Sequence, residues 1–136
     1  MYIADGKTNG PAFSWPDGKR IAVMVTFDYD AEFLRISRAK SKGTSIGFTD
    51  FSRGQYGPHE GLARCLDMLD TMNIKSTFFV PGAVIETYRD TVEEIHRHGH
   101  ELACHGYRHE SDPELSRDEM IKILDKSEAL LAEITG

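Results

Sequence analysis

The sequence predicts an α/β fold in which parallel strands alternate with helices. Three observations carry that reading. Short apolar or β-branched runs occur at 20–27, 75–80 and 101–104, stretches of three-and-four apolar spacing lie between and after the later ones, and no linker divides the chain into two cores. Strands alternating with helices of this length imply right-handed βαβ units, which place functional residues beyond the C-terminal ends of the strands.

The elements follow in order. After the turn-rich Trp15-Pro16-Asp17-Gly18, the stretch Arg20 to Phe27 reads as a buried strand, because Ile21-Ala22-Val23-Met24-Val25 is continuous, short and partly β-branched. It ends in Asp28-Tyr29-Asp30. Ala31 to Tyr56 mixes polar residues with glycines and has no sustained period, which predicts a long loop carrying one short helical turn. From His59 to Met72, the spacing of Leu62, Cys65, Leu66 and Leu69 predicts an amphipathic helix, entered at Pro58 and ended by Asn73. Lys75 to Val80 is a second strand by its β-branched and aromatic content, stopped by Pro81-Gly82. Val84, Ile85, Tyr88, Val92 and Ile95 form the stripe of a following helix, with Gly99 as its stop. Glu101 to Cys104 is the third strand and runs into His105. The last helix is announced by the capping box of Ser116 and Glu119. Leu115 can staple onto Met120, and the stripe continues through Ile123, Leu124, Leu130, Leu131 and Ile134.

A chain of 136 residues suits one domain spanning 1–136, with a single core. Its 40% hydrophobic and 28% charged content excludes collagenous and disordered classes. A net charge of -6 with no lysine or arginine run excludes nucleic acid as a partner, because such binding rests on neutralising phosphates. Met1 to Gly10 lacks the basic start and apolar stretch of a secretory signal, and no apolar run approaches the ~20 residues of a membrane span. The expectation is a cytoplasmic protein with no membrane partner. Cys65 and Cys104 fall inside apolar patterns and read as buried thiols.

Asp28 and Asp30 stand at the end of the first strand, and residues two apart on an extended chain share a face about 7 Å apart. His105 and His109 follow the third strand at i, i+4, which on a helical turn sets both imidazoles on one side. Taken alone, the aspartates could cap a turn and the histidines could be surface or core residues. Their coincidence at equivalent ends of parallel strands points to a site. Two histidines and one carboxylate leave positions open on a divalent ion such as zinc or iron, as a catalytic metal requires. A second carboxylate beside the ion could then act as general base, and Asp28 is so placed if Asp30 is the ligand. Ligation needs deprotonated imidazoles, so metal uptake should weaken as pH falls through the imidazole range. His96, His98 and His100 flank Gly99 and read as a solvated helix end, while Phe78-Phe79 reads as core and Trp15 as the anchor of its turn. Arg53 and Tyr56, just before the first helix, are candidate substrate-binding residues, although a tyrosine beside glycine also packs down as a lid.

These residues resemble those of a known family. Thr26-Phe27-Asp28-Tyr29-Asp30 resembles the first motif of the polysaccharide deacetylases, the NodB-like carbohydrate esterases, and His105-Gly106-Tyr107-Arg108-His109 resembles their His-x-x-x-His motif. Trp15 to Arg20, Tyr56-Gly57 with Glu60-Gly61 and Arg64, and Ile74 to Gly82 look like its peptidoglycan-deacetylase and allantoinase-like branch. The resemblance implies about half of a distorted (β/α) barrel and a hydrolase that removes acetyl groups from N-acetylated sugars or a peptidoglycan-like substrate. It implies Asp28 as base and Asp30, His105 and His109 as ligands of zinc or of iron, nickel or cobalt. The commonest form of the motif has adjacent aspartates, whereas here Tyr29 separates them, as in the branch named. The alternatives are hydrolysis of a small cyclic amide of the allantoin type and a non-catalytic metal-binding, ligand-binding or assembly module. The family's later motifs, with their arginine and late histidine, are not in this sequence. The expectation is that a C-terminal half or a second copy in a homo-oligomer covers the sheet edges.

Overall fold

The computed structural model describes residues 15–110 and 115–136. The polar stretch Met1 to Gly10, read above as lacking a secretory signal, lies outside the described residues.

The sheet is built from β1 (Thr26–Asp28), β2 (Thr77–Val80) and β3 (Glu101–Cys104), in the order β1-β2-β3. Every pairing is parallel, with Phe27 beside Phe78 and Phe78 beside Leu102. This is the α/β architecture the alternation of patterns predicts. β2 takes the centre because its inward residues are wholly apolar: Phe78 is 2% exposed and Val80 0%. Phe27 stacks on Phe78 with ring centroids 4.9 Å apart. The ladder runs one residue past the strand ends, since the Tyr29 N–H donates to the Phe79 carbonyl at 2.8 Å and the His105 N–H to the Val80 carbonyl at 3.3 Å. That extension brings the residues after β1 and after β3 to the same edge of the sheet.

The helices are α1 (Phe33–Ser41), α2 (Phe48–Tyr56), α3 (Leu62–Thr71), α4 (Gly82–Thr87), α5 (Arg89–Arg97) and α6 (Arg117–Thr135). Leu62, Leu66 and Leu69 of α3, Val84 and Ile85 of α4, and Val92 and Ile95 of α5 join Phe78 and Val80 in one core. Each such side chain contributes about 1.5–3 kcal/mol by leaving water. α6 starts with the predicted capping box: Ser116 Oγ accepts from the Glu119 N–H, and the Glu119 carboxylate accepts from the Ser116 N–H. Gly99 stops α5 in the left-handed region at φ 74°. Among the described residues no helix is long and apolar enough to cross a membrane.

Several expectations are corrected. The first strand is three residues long, not Arg20 to Phe27, and Ile21, Val23 and Met24 are 75%, 83% and 86% exposed. β1 has a neighbour on one side only among the described residues; of the apolar run before it Val25 still packs on the core and accepts from the Thr77 N–H at 3.1 Å, while Ile21, Val23 and Met24 stay exposed. The segment Ala31 to Tyr56 is two helices, not a loop. Gly43, at φ 66°, and Gly47 lie between α1 and α2, while Gly54 is buried inside α2. The helix expected to begin near His59 is the continuation of α2 through a π-helical turn, Gly57–Gly61, that holds the buried Pro58. A wide turn accommodates a residue that cannot donate to the helical ladder.

The stripe Val84 to Ile95 spans two helices, because Tyr88 leaves helical geometry at φ -127° and ψ 43°. Its hydroxyl is drawn to both carboxylate oxygens of the buried Glu32, each at 3.0 Å. The α6 stripe is half used: Leu131 is 9% exposed, but Met120 is 49% and Leu124 44% exposed. The helix packs on α4 through Ser127 and Leu130, beyond those residues. The histidine triplet is not uniformly solvated. His96 is exposed, but His98 sits between Asp70 at 2.7 Å and Glu94 at 3.0 Å, and hydrogen bonding to Asp70 first and Glu94 next holds its imidazole above the usual range. His100 is 3% exposed, with Nδ1 accepting from the Ser76 N–H at 3.3 Å. Cys65 and Cys104 are free, half-buried thiols.

Candidate metal centre

Asp28 closes β1 and is exposed, whereas Tyr29 turns into the core, 6% exposed, and donates its hydroxyl to Thr91 Oγ1 at 2.8 Å. Burial pushes the Tyr29 phenol up to about 12. With Tyr29 committed to the core, Asp30 turns to the opposite side, as alternation requires. Ala31, at φ 48°, then swings the chain into α1, and the Phe33 N–H caps the Asp30 carbonyl at 3.0 Å.

On the neighbouring side β3 delivers His105. The expected helical turn between His105 and His109 is instead a loop with two left-handed residues, Gly106 at φ 69° and His109 at φ 59°. The Glu110 carboxylate bends it, accepting from the Tyr107 N–H at 2.9 Å and the Arg108 N–H at 2.8 Å. Ser127 Oγ of α6 donates to the Gly106 carbonyl at 2.8 Å, and the Gly82 and Ala83 N–H groups of α4 donate to the Gly106 and Tyr107 carbonyls. From α1, Ser37 Oγ donates to the His109 carbonyl at 2.8 Å. The turn thus achieves what a helix would have done: the two imidazoles face each other edge to face, centroids 4.8 Å apart.

Asp30, His105 and His109 converge, with one ligand atom from each lying within 4.8 Å of the others. His105 Nε2 lies 3.5 Å from Asp30 Oδ1, and His109 Nε2 lies 3.8 Å from Asp30 Oδ2. Asp30 Oδ1 and His105 Nε2 are buried atoms without a hydrogen-bond partner among the described residues. Buried polar atoms left unpaired are costly, and two of them aimed at one point suit a shared ion. Ligand atoms about 2.0–2.2 Å from a tetrahedral ion stand roughly 3.4 Å apart, close to the 3.5 Å and 3.8 Å that separate the two imidazoles from Asp30. Burial raises the Asp30 carboxyl above its usual range, the charges of His109 and His105 oppose the rise, Asp28 adds to it, and Arg38 opposes it. The donor set is two imidazoles and one carboxylate, which suits zinc, iron, nickel or cobalt.

Of the other site residues anticipated from sequence, Asp28 stands outside the three-residue cluster, within range of Asp30 electrostatically. Arg53 is exposed and reaches Asp50 at 3.9 Å, while Tyr56 is 54% exposed with its ring over Gly61, so neither joins the cluster. Ser37 and Glu110 were not anticipated. Glu110 had a legible signal, a carboxylate directly after a candidate turn. Ser37 had none, since it lies 72 residues from the carbonyl it holds.

The family profile described as polysaccharide deacetylase matches residues 16–136. A peptidoglycan deacetylase-like protein of Gibberella zeae is 32% identical over 120 residues, covering 87% of this chain and 35% of that protein. A peptidoglycan deacetylase of Helicobacter pylori is 33% identical over 118 residues, covering 87% of this chain and 39% of its own length. The chain therefore spans well under half the length of these curated relatives. A solved structure from Mycobacterium smegmatis, assigned to the polysaccharide deacetylases, superposes with a TM-score of 0.80 at 40% identity, over 93% of this chain and 44% of that one. An allantoinase structure shares the fold, with a TM-score of 0.77 at 21% identity over 90% of this chain and 45% of its own.

Proposed function

Because the chain belongs to the polysaccharide deacetylase family, we propose that Asp30, His105 and His109 hold a divalent ion, zinc first, in the hydrolysis of an acetamide on an N-acetylated sugar or peptidoglycan-like polymer. The observation that carries this reading is the pair of buried atoms, Asp30 Oδ1 and His105 Nε2, that lie 3.5 Å apart with no hydrogen-bond partner among the described residues. When bound, such an ion supplies Lewis acidity to water and to the amide carbonyl. Asp28, exposed at the end of β1, is the base that takes a proton from the attacking water at a carboxylate oxygen. Ser37 and Glu110 position His109 by fixing the loop that carries it. Arg53 and Tyr56 are substrate contacts in this reading, reached by substrate extending over α2.

Residues 1–136 are proposed as one unit, the N-terminal portion of a deacetylase-like domain whose further strands, or a second copy, cover the free edges of β1 and β3. Free thiols at Cys65 and Cys104 accord with a cytoplasmic setting. Elemental analysis of the purified chain beside His109→Ala tests the metal claim. The expected result is about one divalent ion per chain, lost in the variant. A metal-free chain, or a variant that keeps the ion, overturns it. Acetate release from a chitin-type oligomer, abolished in Asp28→Asn with metal content unchanged, tests the assignment of the base.

A further inference from the structure

We propose that a hollow between α1 and α2 binds an oxyanion group, a phosphate or a carboxylate. The hollow, of about 220 Å³, opens to solvent and is lined by Arg35 and Arg38 of α1, by its C-cap residue Lys42, by Thr44 and Gly47 of the connection, and by Asp50 of α2. Three cations face one carboxylate on a chain whose net charge is -6, so the local sign opposes the overall one.

Asp50 is engaged by Arg35 at 3.4 Å and by Arg53 at 3.9 Å. Arg38 and Lys42 form no ion pair among the described residues, and both are exposed. A guanidinium fork beside an ammonium is the combination that recognises phosphate and carboxylate groups. The first turn of α2 adds to the field, because Gly47 is its N-cap and no side chain caps it. The connection is held in shape by Thr44, whose N–H and Oγ1 both donate to the Ala39 carbonyl. The volume accommodates one such group on a small molecule or polymer repeat.

The hollow also borders the candidate metal centre. Arg38, which lines it, is close enough to act on the charge of Asp30, and Ser37 beside it bonds the His109 carbonyl. The inference nonetheless stands without the metal reading, because it rests on α1, α2 and their connection alone.

The test is a titration of the purified 136-residue chain with sodium phosphate and, separately, sodium acetate at constant ionic strength, following the amide signals of Gly47 and Phe48 by NMR. Arg38→Gln and Lys42→Gln are each expected to weaken binding about tenfold, the size of one lost charge-assisted bond. Lys40→Gln removes the same charge from α1 outside the hollow and is expected to leave binding unchanged. Saturation by phosphate alone assigns a phosphoryl group, by acetate alone a carboxylate, and by both the shared oxyanion chemistry. No saturable binding overturns the proposal, as does affinity in Arg38→Gln and Lys42→Gln equal to that of the unmutated chain, or a tenfold loss in Lys40→Gln. Binding that survives in His109→Ala keeps the hollow independent of the metal centre, and binding lost there places the anion on the metal site and overturns the assignment.

Discussion

Burial holds the carboxyl of Asp30 above the ordinary carboxylate range, and the neighbouring imidazoles pull it back only when they carry a proton. A folded pKa above the unfolded one means that the folded chain binds this proton more tightly. Stability is therefore lost as pH rises from the unfolded value through the folded one, and the loss persists at neutral pH. Asp30→Asn removes the charge while keeping the shape. In metal-stripped protein it is expected to raise Tm by about 2–5 °C at pH 7 and to leave it little changed in acid. A calorimetric scan showing an equal or lower Tm at pH 7 would sink this account of the residue. The same substitution should abolish metal uptake, so stability and ligation move in opposite directions at one atom pair. The identities of these residues were legible because carboxylate and imidazole chemistry is written in residue type, and strand ends are legible from apolar runs. The shape of the loop was not. His-x-x-x-His reads as one helical turn, and nothing local to the motif announces that His109 adopts φ 59° or that Ser37 holds it.

Among the elements, α1 and α2 show where composition misleads. Their glycines read as loop punctuation, yet Gly54 lies inside α2 because a Cβ there would stand 2.4 Å from the Glu32 Cα. The residue is demanded by close packing, a long-range fact that no periodicity carries. Gly54→Ala is expected to destabilise the fold by about 1–3 kcal/mol, since backbone has to move to admit one methyl group. Urea denaturation giving an unchanged midpoint would show that α1 and α2 yield without cost. The break at Tyr88 was hidden for the converse reason: Val84, Ile85, Val92 and Ile95 keep facing the core on both sides of it, so the stripe reads as continuous. Where one helix face and one cap decide the outcome, as in α3 and at Ser116, sequence and structure agree.

At the scale of the molecule, the sheet ends on both sides in an unpaired strand among the described residues, and beside β1 the exposed Ile21, Val23 and Met24 continue that edge. An apolar edge is a template for association, and lysine is the usual means of blunting one. Val23→Lys is expected to weaken self-association of the purified chain about tenfold without lowering its Tm; light scattering across a concentration series that shows no association in either protein would refute this. The order of the strands also matters to a chain made one residue at a time. The strands lie in the sheet in the order in which they are made, and α1, α2 and α3 separate the first two, so β1 leaves the ribosome with no strand to join until Thr77–Val80 has followed it. Through that interval α1, α2 and α3 can coil but have no sheet to lie against. The apolar faces of these helices therefore stay uncovered in the nascent chain at least until Thr77–Val80 has been made, and that is the interval in which misassociation threatens it most.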